Sequence, residues 1–322
     1  MSPPASSPPL LLSILVPTWN RVEDLRRLVP CLLTVLRQHP EIDVLISSNG
    51  STDATREFLD SIPVQERLRI VHQPVNCGPS LHAGWLYAHA RGRFLWLFGD
   101  DDLFEPGLPE VILHWIRGIP DLGWIHLPHR FPQAGGPDVL SRMPEADSRL
   151  ARGRDAFAPY IMWISFTSSN VIRTELLHAR LPQQNLSTGW WPMQLLMRSV
   201  ADAPAVILAR RGVVSGPEIS WRESWLETTH FGYPIEILNS PVLTLAEKRA
   251  CLRQRYEDWP NSLERLVVIN PRLLLRLVWT EPRLLRILLS PSLLRKLFQG
   301  RIWGKTFRLI TRTKKPIELI RG

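Results

Sequence analysis

The sequence contains few cysteines and no long hydrophobic segment. Its three cysteines, Cys31, Cys77 and Cys251, are widely spaced and odd in number, so they predict neither a disulfide framework nor a zinc site of the usual spacing. No apolar segment approaches the length of about 20 residues that a membrane-spanning helix needs. The opening residues, MSPPASSPPLLLS, have no basic region of the kind found in secretory signals. These absences favour a protein of the reducing cytoplasm.

Acidic residues are scarce in the last part of the chain. Residues 251–322 carry 16 Lys and Arg but only 5 Asp and Glu, a net charge of +11, whereas residues 1–250 carry 23 and 25, a net charge of −2. The basic character therefore belongs to the C-terminal segment. Any anionic partner that this charge attracts is expected to bind there.

Short apolar segments alternate with helical patterns over roughly the first 130 residues. The predicted strands cover residues 10–16, 43–47, 69–72, 94–98 and 124–127, and the predicted helices cover residues 22–38, 53–61, 80–91 and 107–117. Pro17 is expected to end the first strand. Strands that alternate with helices in this way indicate an α/β fold with a doubly wound, mostly parallel sheet.

Three consecutive aspartates follow the fourth predicted strand. The strand, residues 94–98, is apolar throughout, as expected of a strand buried on both faces of a parallel sheet. Asp100, Asp101 and Asp102 come directly after Gly99. Adjacent carboxylates repel one another unless a cation compensates them, and Mg²⁺ or Mn²⁺ prefers such oxygen ligands. The alternative is a solvated acidic turn before the next helix.

Four segments of the chain resemble the family-2 glycosyltransferases, which have the GT-A fold. They are SILVPTWNR at 13–21, LISSNGSTDAT at 45–55, NCGPSLHAG at 76–84 and GRFLWLFGDDDLFEPG at 92–107. Each lies at or just after a predicted strand end, in the family's order and spacing. The resemblance covers residues 15–130, and the sequence LFGDDD is similar to that of the branch acting in bacterial surface-polysaccharide synthesis.

The resemblance implies a site for a nucleoside-diphosphate sugar. Asp102 would bind Mn²⁺ or Mg²⁺, with Asp100 as a second candidate ligand, and Asp100 or Asp101 would contact the ribose. The other donor-binding residues implied in this way are Pro17, Thr18, Asn20, Arg21, Ser48 and Asn49. Because the carboxyl ends of neighbouring parallel strands meet in one crevice, these loops can share a site.

The chain departs from the family pattern in two places. Ser48 stands where the family usually has an aspartate that contacts the base, so the nucleobase does not follow from the resemblance. No Glu-Asp pair occurs near 185–195, where a general base would be sought. Glu223 and Glu227, in the Trp-rich segment SWRESWLETTH, are the candidate bases. The candidate acceptor-site residues are Trp190, Trp191 and Trp221, for which a role in the core is the alternative.

The sequence predicts three regions. Residues 1–9 form a flexible lead-in, residues 10–243 a GT-A catalytic domain and residues 244–322 a basic, amphipathic helical extension. Within the catalytic domain, residues 10–130 would bind the nucleotide sugar and residues 131–243 the acceptor. Residues 128–153 are polar and contain Gly and Pro, which favours a long loop.

The extension contains three near-repeats, PRLLLRLVW, PRLLRILLS and PSLLRKLFQ, between residues 271 and 299. Leucines at steps of three and four residues alternate with arginines, a pattern typical of helices that lie in the plane of an anionic membrane surface. The alternative is that these helices pack on the catalytic domain. No nucleic-acid-binding motif accompanies the charge, so no nucleic-acid partner is expected.

Together these features predict a metal-dependent glycosyltransferase of the hexosyl- or deoxyhexosyltransferase class. It would act on a surface glycan or a lipid-linked acceptor, as a peripheral protein on the inner face of the bacterial cell membrane. One alternative is a nucleotidyltransferase that makes sugar nucleotides, although the chain lacks an N-terminal Gly-rich phosphate loop. Another is a membrane-associated scaffold whose transferase domain has lost catalysis.

Overall fold

The computed structural model describes residues 8–133, 135–183, 191–216, 233–258 and 271–282. The chain divides into two compact units, Met1–Ser220 and Trp221–Gly322. The predicted end of the catalytic domain at residue 243 stays a prediction, as does its division into a donor half and an acceptor half.

The first unit begins with four strand-helix pairs in the predicted order. These elements are β1 Leu12–Thr18, α1 Val22–Gln38, β2 Ile42–Ser48, α2 Thr55–Asp60, β3 Leu68–His72, α3 Pro79–Ala88, β4 Phe94–Leu97 and, after the short strand β5 Leu103–Phe104, α4 Leu108–Gly118. Their boundaries follow the hydrophobic pattern closely. In α1, for example, Leu25, Leu28, Leu32 and Leu36 recur at helical spacing and are all buried.

Shorter elements make up the rest of the first unit. They are β6 Trp124–His126, β7 His129–Phe131, β8 Val139–Leu140, β9 Ser148–Leu150, α5 Phe157–Tyr160, β10 Asn170–Arg173, α6 Thr174–His178, α7 Trp191–Val200, β11 Ala205–Ile207 and β12 Val213–Val214. The interpretation of residues 128–153 as one long loop was wrong, because β7, β8 and β9 lie within it. Strands of two or three residues are too short for an alternating pattern to reveal them.

The main sheet has eight strands in the order β3-β2-β1-β4-β10-β6-β11-β9. The first four are parallel, and β10 is inserted antiparallel between β4 and β6. β11 runs parallel to β6, and β9 is the edge strand, paired antiparallel with β11. The predicted α/β fold with a mostly parallel sheet is therefore confirmed. A second sheet, in the order β5-β12-β7-β8, lies in the same unit.

Pro17 does not end β1, contrary to the prediction. The strand continues to Thr18, which is the register partner of Ser48 in β2, whereas the pairing with β4 stops at Leu15 and Leu97. In a parallel ladder, alternate residues direct their backbone groups to the same neighbour. The carbonyl of Leu15 accepts from the amide of Phe98, so the backbone groups of Pro17, two residues later, also point toward the β4 side. The pairing of β1 with β4 has already ended there. The missing N–H of proline therefore costs no ladder hydrogen bond.

The second unit contains the helices α8 Tyr233–Asn239, α9 Leu245–Asp258 and α10 Pro271–Thr280. α10 contacts both α8 and α9, and its Leu273 and Leu277 are buried. Leu275 and Trp279 lie on its other face, with 70% and 85% of their surface exposed. A C-terminal helical region is thus present, as predicted. Among the residues that the structure describes, no helix is both long and apolar enough to cross a membrane.

Candidate active site

The carboxyl ends of β1 and β2 place two predicted donor-site residues side by side. Thr18 and Ser48 are register partners in these strands, and both are buried. The backbone amide of Asn49 donates a 2.8 Å hydrogen bond to the carbonyl oxygen of Thr18. The Thr18 hydroxyl makes no hydrogen bond of normal geometry, but it lies close enough to the Asp100 carboxylate to favour the charged form of that group. Thr18 therefore places a buried polar group beside the aspartates that follow β4.

Asn20 and Ser48 join the loop after β1 to the loop after β2. Asn20 has a left-handed backbone with φ of 53°, a conformation that asparagine tolerates better than most residues. Its side-chain oxygen accepts from the backbone amide of Thr52 at 2.8 Å, and its backbone amide donates to the Ser51 hydroxyl at 3.1 Å. Ser48 also donates to the Ser51 hydroxyl, at 2.8 Å. These bonds hold the two loops together at the edge of the crevice.

Asn49 holds the loop after β2 to the loop before α3. Its side-chain amide donates to Oδ1 of Asn76 at 3.0 Å, and its Oδ1 accepts from the backbone amide of Cys77 at 3.1 Å. Gly50 has a φ of 65°, and a Cβ atom there would lie 2.5 Å from the backbone nitrogen of Asn76. Only glycine therefore allows these two loops to approach so closely. The structure uses the Asn49 side chain to order the crevice wall.

The aspartates after β4 adjoin the loop that follows β1. Nη1 of Arg21 lies 3.9 Å from Oδ2 of Asp101 and 3.0 Å from Oδ2 of Asp24. The predicted residues Arg21 and Asp101 are thus brought together at the carboxyl edge of the sheet. Because one guanidinium serves two carboxylates, Arg21 offsets only part of the local negative charge.

Asp102 is almost fully buried, and protein groups bind both of its carboxylate oxygens. The Ser168 hydroxyl donates to Oδ2 at 2.5 Å, and the backbone amide of Gly216 donates to Oδ1 at 3.0 Å. Gly99 leaves room for this carboxylate, since a Cβ atom on Gly99 would lie 2.7 Å from Oδ2 of Asp102. The orientation of Asp102 is therefore set from three sides.

Burial makes these carboxylates unusually weak acids. Burial raises the pKa of Asp100 to about 7, the Thr18 hydroxyl opposes this rise, and the charge of Asp101 adds to it. Burial also raises the pKa of Asp102 to about 7, and the charge of Asp101 contributes, while Ser168 and Gly216 oppose the rise. The charged forms are therefore poorly compensated within the protein.

This donor set fits a hard divalent cation. Carboxylate oxygens suit Mg²⁺ and Mn²⁺, and a cation would compensate the buried charge on Asp100 and Asp102. Within the described ranges no cluster of three or more His, Cys, Asp or Glu residues could hold a metal ion. One or two carboxylates are nevertheless sufficient where the phosphates of a substrate complete the coordination, which is the usual arrangement for Mg²⁺.

Three residues of the site were missed by the sequence analysis. Ser168 and Gly216 bind Asp102, but they lie 66 and 114 residues away from it in the chain, and no local pattern marks them. Gly99 was visible as the residue directly before the aspartates. A glycine next to a buried acidic group could have indicated a close approach of side chain and backbone.

The predicted catalytic and acceptor residues fall on parts of the chain that the structure does not describe, in whole or in their side chains. Glu223, Glu227, Trp190 and Trp221 lie outside the described residues. Trp191 is the first residue of α7, and its side chain is outside the description. The assignments to these five residues stay predictions.

Comparison with known proteins relates this geometry to a family. The family model described as "Glycosyl transferase family 2" matches residues 13–203, more than half of the chain. The match includes all of β1 except Leu12, together with β2 to β4, the three aspartates and Ser168.

Two curated relatives are named as transferases of bacteria. The chain is 33% identical over 95 residues to "Abequosyltransferase RfbV" of Salmonella typhimurium, a match covering 29% of this chain and 28% of the relative. It is 25% identical over 107 residues to "Putative teichuronic acid biosynthesis glycosyltransferase TuaG" of Bacillus subtilis, covering 33% and 42%. In both cases the matched part is less than half of the relative's length.

Two solved structures resemble this chain over most of its length. TarS 1–349 of S. aureus aligns with a TM-score of 0.64 at 17% identity, covering 93% of this chain and 89% of TarS. The mannosyltransferase PcManGT of Pyrobaculum calidifontis, solved with GDP-Man and Mn²⁺, aligns with a TM-score of 0.54 at 14% identity, covering 95% and 84%. At this identity the likeness establishes the shared fold.

Proposed function

The chain belongs to glycosyltransferase family 2, and from this we propose that it transfers a sugar from a nucleoside-diphosphate sugar to an acceptor glycan, with Mn²⁺ or Mg²⁺ as cofactor. One observation carries the proposal: Thr18, Ser48 and the three aspartates all lie at the carboxyl edge of adjacent parallel strands. In open α/β sheets this edge is where ligands bind.

The positions of the donor-site residues support the roles that the family resemblance implies for them. Thr18 and Ser48, at the ends of β1 and β2, would contact the nucleoside, with Pro17 beside them. Asp100 or Asp101 would bind the ribose hydroxyls. Asp102, with Asp100 as second candidate, would hold the cation. The bound cation would act as a Lewis acid and stabilise the negative charge that develops on the departing nucleoside diphosphate.

The acceptor side of the proposal depends on the segment after Gly216. Glu223 or Glu227 would remove the proton from the acceptor hydroxyl, and this acid–base role needs a carboxylate within hydrogen-bond reach of that hydroxyl. Trp190, Trp191 and Trp221 would bound the acceptor sugar.

We further propose that the acceptor is a surface glycan or a lipid-linked glycan. The name of TuaG, which refers to teichuronic acid biosynthesis, supports this class of acceptor. A hexose or deoxyhexose is the proposed sugar class. Such acceptors would place the enzyme on the inner face of the bacterial cell membrane, as a peripheral protein.

The outer face of α10 supports binding to an anionic membrane. Arg272, Leu275, Arg276 and Trp279 are all exposed, and their spacing of three or four residues puts them on one face of the helix. An exposed apolar face flanked by arginines suits an anionic lipid surface. The remainder of the proposed membrane-binding segment 271–299 lies outside the described residues.

A donor screen tests the proposed function. The purified chain is incubated with UDP, GDP, CDP and dTDP sugars, with Mn²⁺, with Mg²⁺ or with EDTA, and release of the nucleoside diphosphate is measured. Metal-dependent release from one donor supports the glycosyltransferase. Formation of a sugar nucleotide from sugar phosphate and nucleoside triphosphate would instead identify a nucleotidyltransferase. Absence of binding and of hydrolysis for every donor would support a scaffold without catalysis.

A further inference from the structure

Residues 168–170 connect the acidic loop to the neighbouring strands β6 and β7. The Ser168 hydroxyl binds Asp102, and the next residue, Ser169, bonds through its hydroxyl to Nδ1 of His129 at 2.7 Å. Asn170 then accepts from Nε1 of Trp124 at 3.1 Å. Three consecutive side chains thus engage three different parts of the first unit.

This segment is rigidly held by further bonds. The carbonyl of Ser168 accepts from Nε1 of Trp96 at 2.7 Å, and the carbonyl of Ser169 accepts from the amide of Leu127 at 2.8 Å. The Asn170 amide donates to the carbonyls of Ile164 and Phe166 at 2.9 and 2.8 Å. Because these partners are buried or half-buried, the Ser168 hydroxyl has little freedom to move.

The direction of the Ser168 proton follows from its partners. A serine hydroxyl has one proton to donate and two lone pairs that accept. The backbone amide of Gly99 donates to Oγ of Ser168 at 2.9 Å, which occupies an accepting position. The single proton therefore points to Oδ2 of Asp102, 2.5 Å away. Each carboxylate oxygen of Asp102 keeps a second lone pair for another partner.

We infer that Ser168 is a positioning residue, which fixes the orientation of Asp102 and so creates the metal-binding geometry of the donor site. The inference rests on the proposed function, since it takes Asp102 as a metal ligand. Groups that hydrogen-bond to a metal ligand orient it, and their loss commonly weakens metal affinity by about 10–100-fold. Ser168 has this relation to Asp102, and it comes from a rigid segment, which good preorganisation requires.

The test compares Ser168→Ala with Ser168→Thr. Binding of Mn²⁺ is measured by electron paramagnetic resonance, in the presence of UDP, GDP, CDP or dTDP, whichever the wild-type chain binds. Ser168→Ala should weaken Mn²⁺ binding by about 10–100-fold, and Ser168→Thr, which keeps the hydroxyl, should restore most of the affinity. Excess Mn²⁺ should recover much of the Ser168→Ala activity, because the loss lies in metal affinity.

Ser165→Ala is the matched control. Ser165 is in the same segment, but its hydroxyl donates to the carbonyl of Met162, so its removal should leave Mn²⁺ affinity unchanged. If Ser168→Ala does not fold, Ser168→Cys replaces it, because a thiol fills the same space and is a weak donor. Wild-type Mn²⁺ affinity in the folded Ala or Cys variant would overturn the inference. A wild-type chain that binds a donor nucleotide but no Mn²⁺ would instead overturn the metal dependence of the proposed function.

Discussion

The backbone amide of Gly216 lies 3.0 Å from Oδ1 of Asp102 and donates a hydrogen bond to it, although 114 residues separate the two in the chain. A Cβ atom on Gly216 would lie 2.6 Å from the backbone oxygen of Asp101. The close approach of the two backbones therefore requires a residue without a side chain. The acidic loop and the segment after β12 are joined at this point.

Replacing Gly216 by alanine should therefore disturb the candidate metal ligand. The added methyl group cannot be accommodated by a flexible side chain, since it would meet backbone atoms, so the bond to Asp102 must lengthen. We expect donor turnover to fall by about tenfold or more, in line with the loss of a group that orients a metal ligand. Gly118→Ala is the control, because nothing lies within 4 Å of a Cβ atom there. Equal turnover in the two variants would contradict the prediction.

Asp102→Asn should abolish activity and leave the fold intact. Asparagine has the same shape but no negative charge, so it cannot replace a carboxylate toward Mn²⁺ or Mg²⁺. Burial already raises the pKa of Asp102 to about 7, which means that the charged form is unfavourable in the folded protein. The amide also leaves one of the two donors, Ser168 or Gly216, without an acceptor, which offsets this gain, so we expect the Tm of the variant to stay close to that of the wild type. Full turnover in Asp102→Asn, or in wild-type protein with excess EDTA, would disprove the metal role.

Ser48→Ala should weaken binding of the donor nucleotide. Ser48 is the register partner of Thr18, and its hydroxyl anchors the loop at Ser51. Loss of the proposed hydrogen bond between Ser48 and the nucleoside costs about 1 kcal/mol, so the Kd measured by calorimetry should rise about fivefold.

The control for this prediction is Ser47→Ala in the same strand. Because successive side chains point to opposite faces of a sheet, Ser47 contacts His82 and Gln73 and should affect stability without affecting the nucleotide Kd. A nucleotide-bound structure in which the base is distant from Thr18, Asn20 and Ser48 would refute the assignment of the nucleoside pocket.

The outer face of α10 should determine membrane binding. A double variant, Leu275→Ser with Trp279→Ser, removes two exposed apolar side chains, each of which contributes roughly 1.5–3 kcal/mol when fully buried. Co-sedimentation with anionic liposomes should fall by about tenfold or more, and high salt should weaken the binding of the wild type because its arginines contribute electrostatic attraction.

The matched control replaces two exposed apolar residues elsewhere, Val64 and Leu140, which are 99% and 56% exposed, by serine. This variant should bind liposomes as the wild type does. If wild type, α10 variant and control all stay in the supernatant, the membrane proposal is incorrect.

His82 should destabilise the protein at acid pH. Burial lowers its pKa to about 4 from 6.5, so between these values the unfolded chain binds the proton more strongly. The contribution of His82 to the free energy of unfolding is therefore constant above pH 6.5. Between pH 6.5 and pH 4 it falls by up to about 1.4 kcal/mol for each pH unit. The raised pKa values of Asp100 and Asp102 act in the opposite direction, so the wild-type curve alone does not isolate the histidine.

The contribution of His82 is obtained as the difference in stability between the wild type and His82→Gln at each pH. Glutamine does not titrate and can still bond to the Ser47 hydroxyl, which His82 contacts through Nε2 at 2.8 Å. Urea denaturation at pH 7, 6 and 5 should show that the variant loses less stability than the wild type as the pH falls. Parallel curves for the two proteins would contradict the expected protonation.

The sequence by itself determined the elements of the parallel half of the sheet and the position of the acidic residues. Continuous apolar segments such as 94–98 and the helical leucine spacing of α1 are local signals, and they established β1 to β4 and their helices. Because parallel strands end at one edge, the position of Asp100–Asp102 after β4 also implied that they would lie near Thr18 and Ser48.

The tertiary structure alone decided which groups hold Asp102 and how β10 enters the sheet. Ser168 and Gly216 reach the carboxylate from segments far away in sequence, and a hydrogen bond between distant segments leaves no periodic pattern in either one. β10 lies antiparallel between two parallel strands, because the long connection before it allows the chain to return in either direction. The continuation of β1 through Pro17 was also decided by the tertiary structure. Because the pairing of β1 with β4 ends before Pro17, no ladder hydrogen bond requires the N–H group that proline lacks.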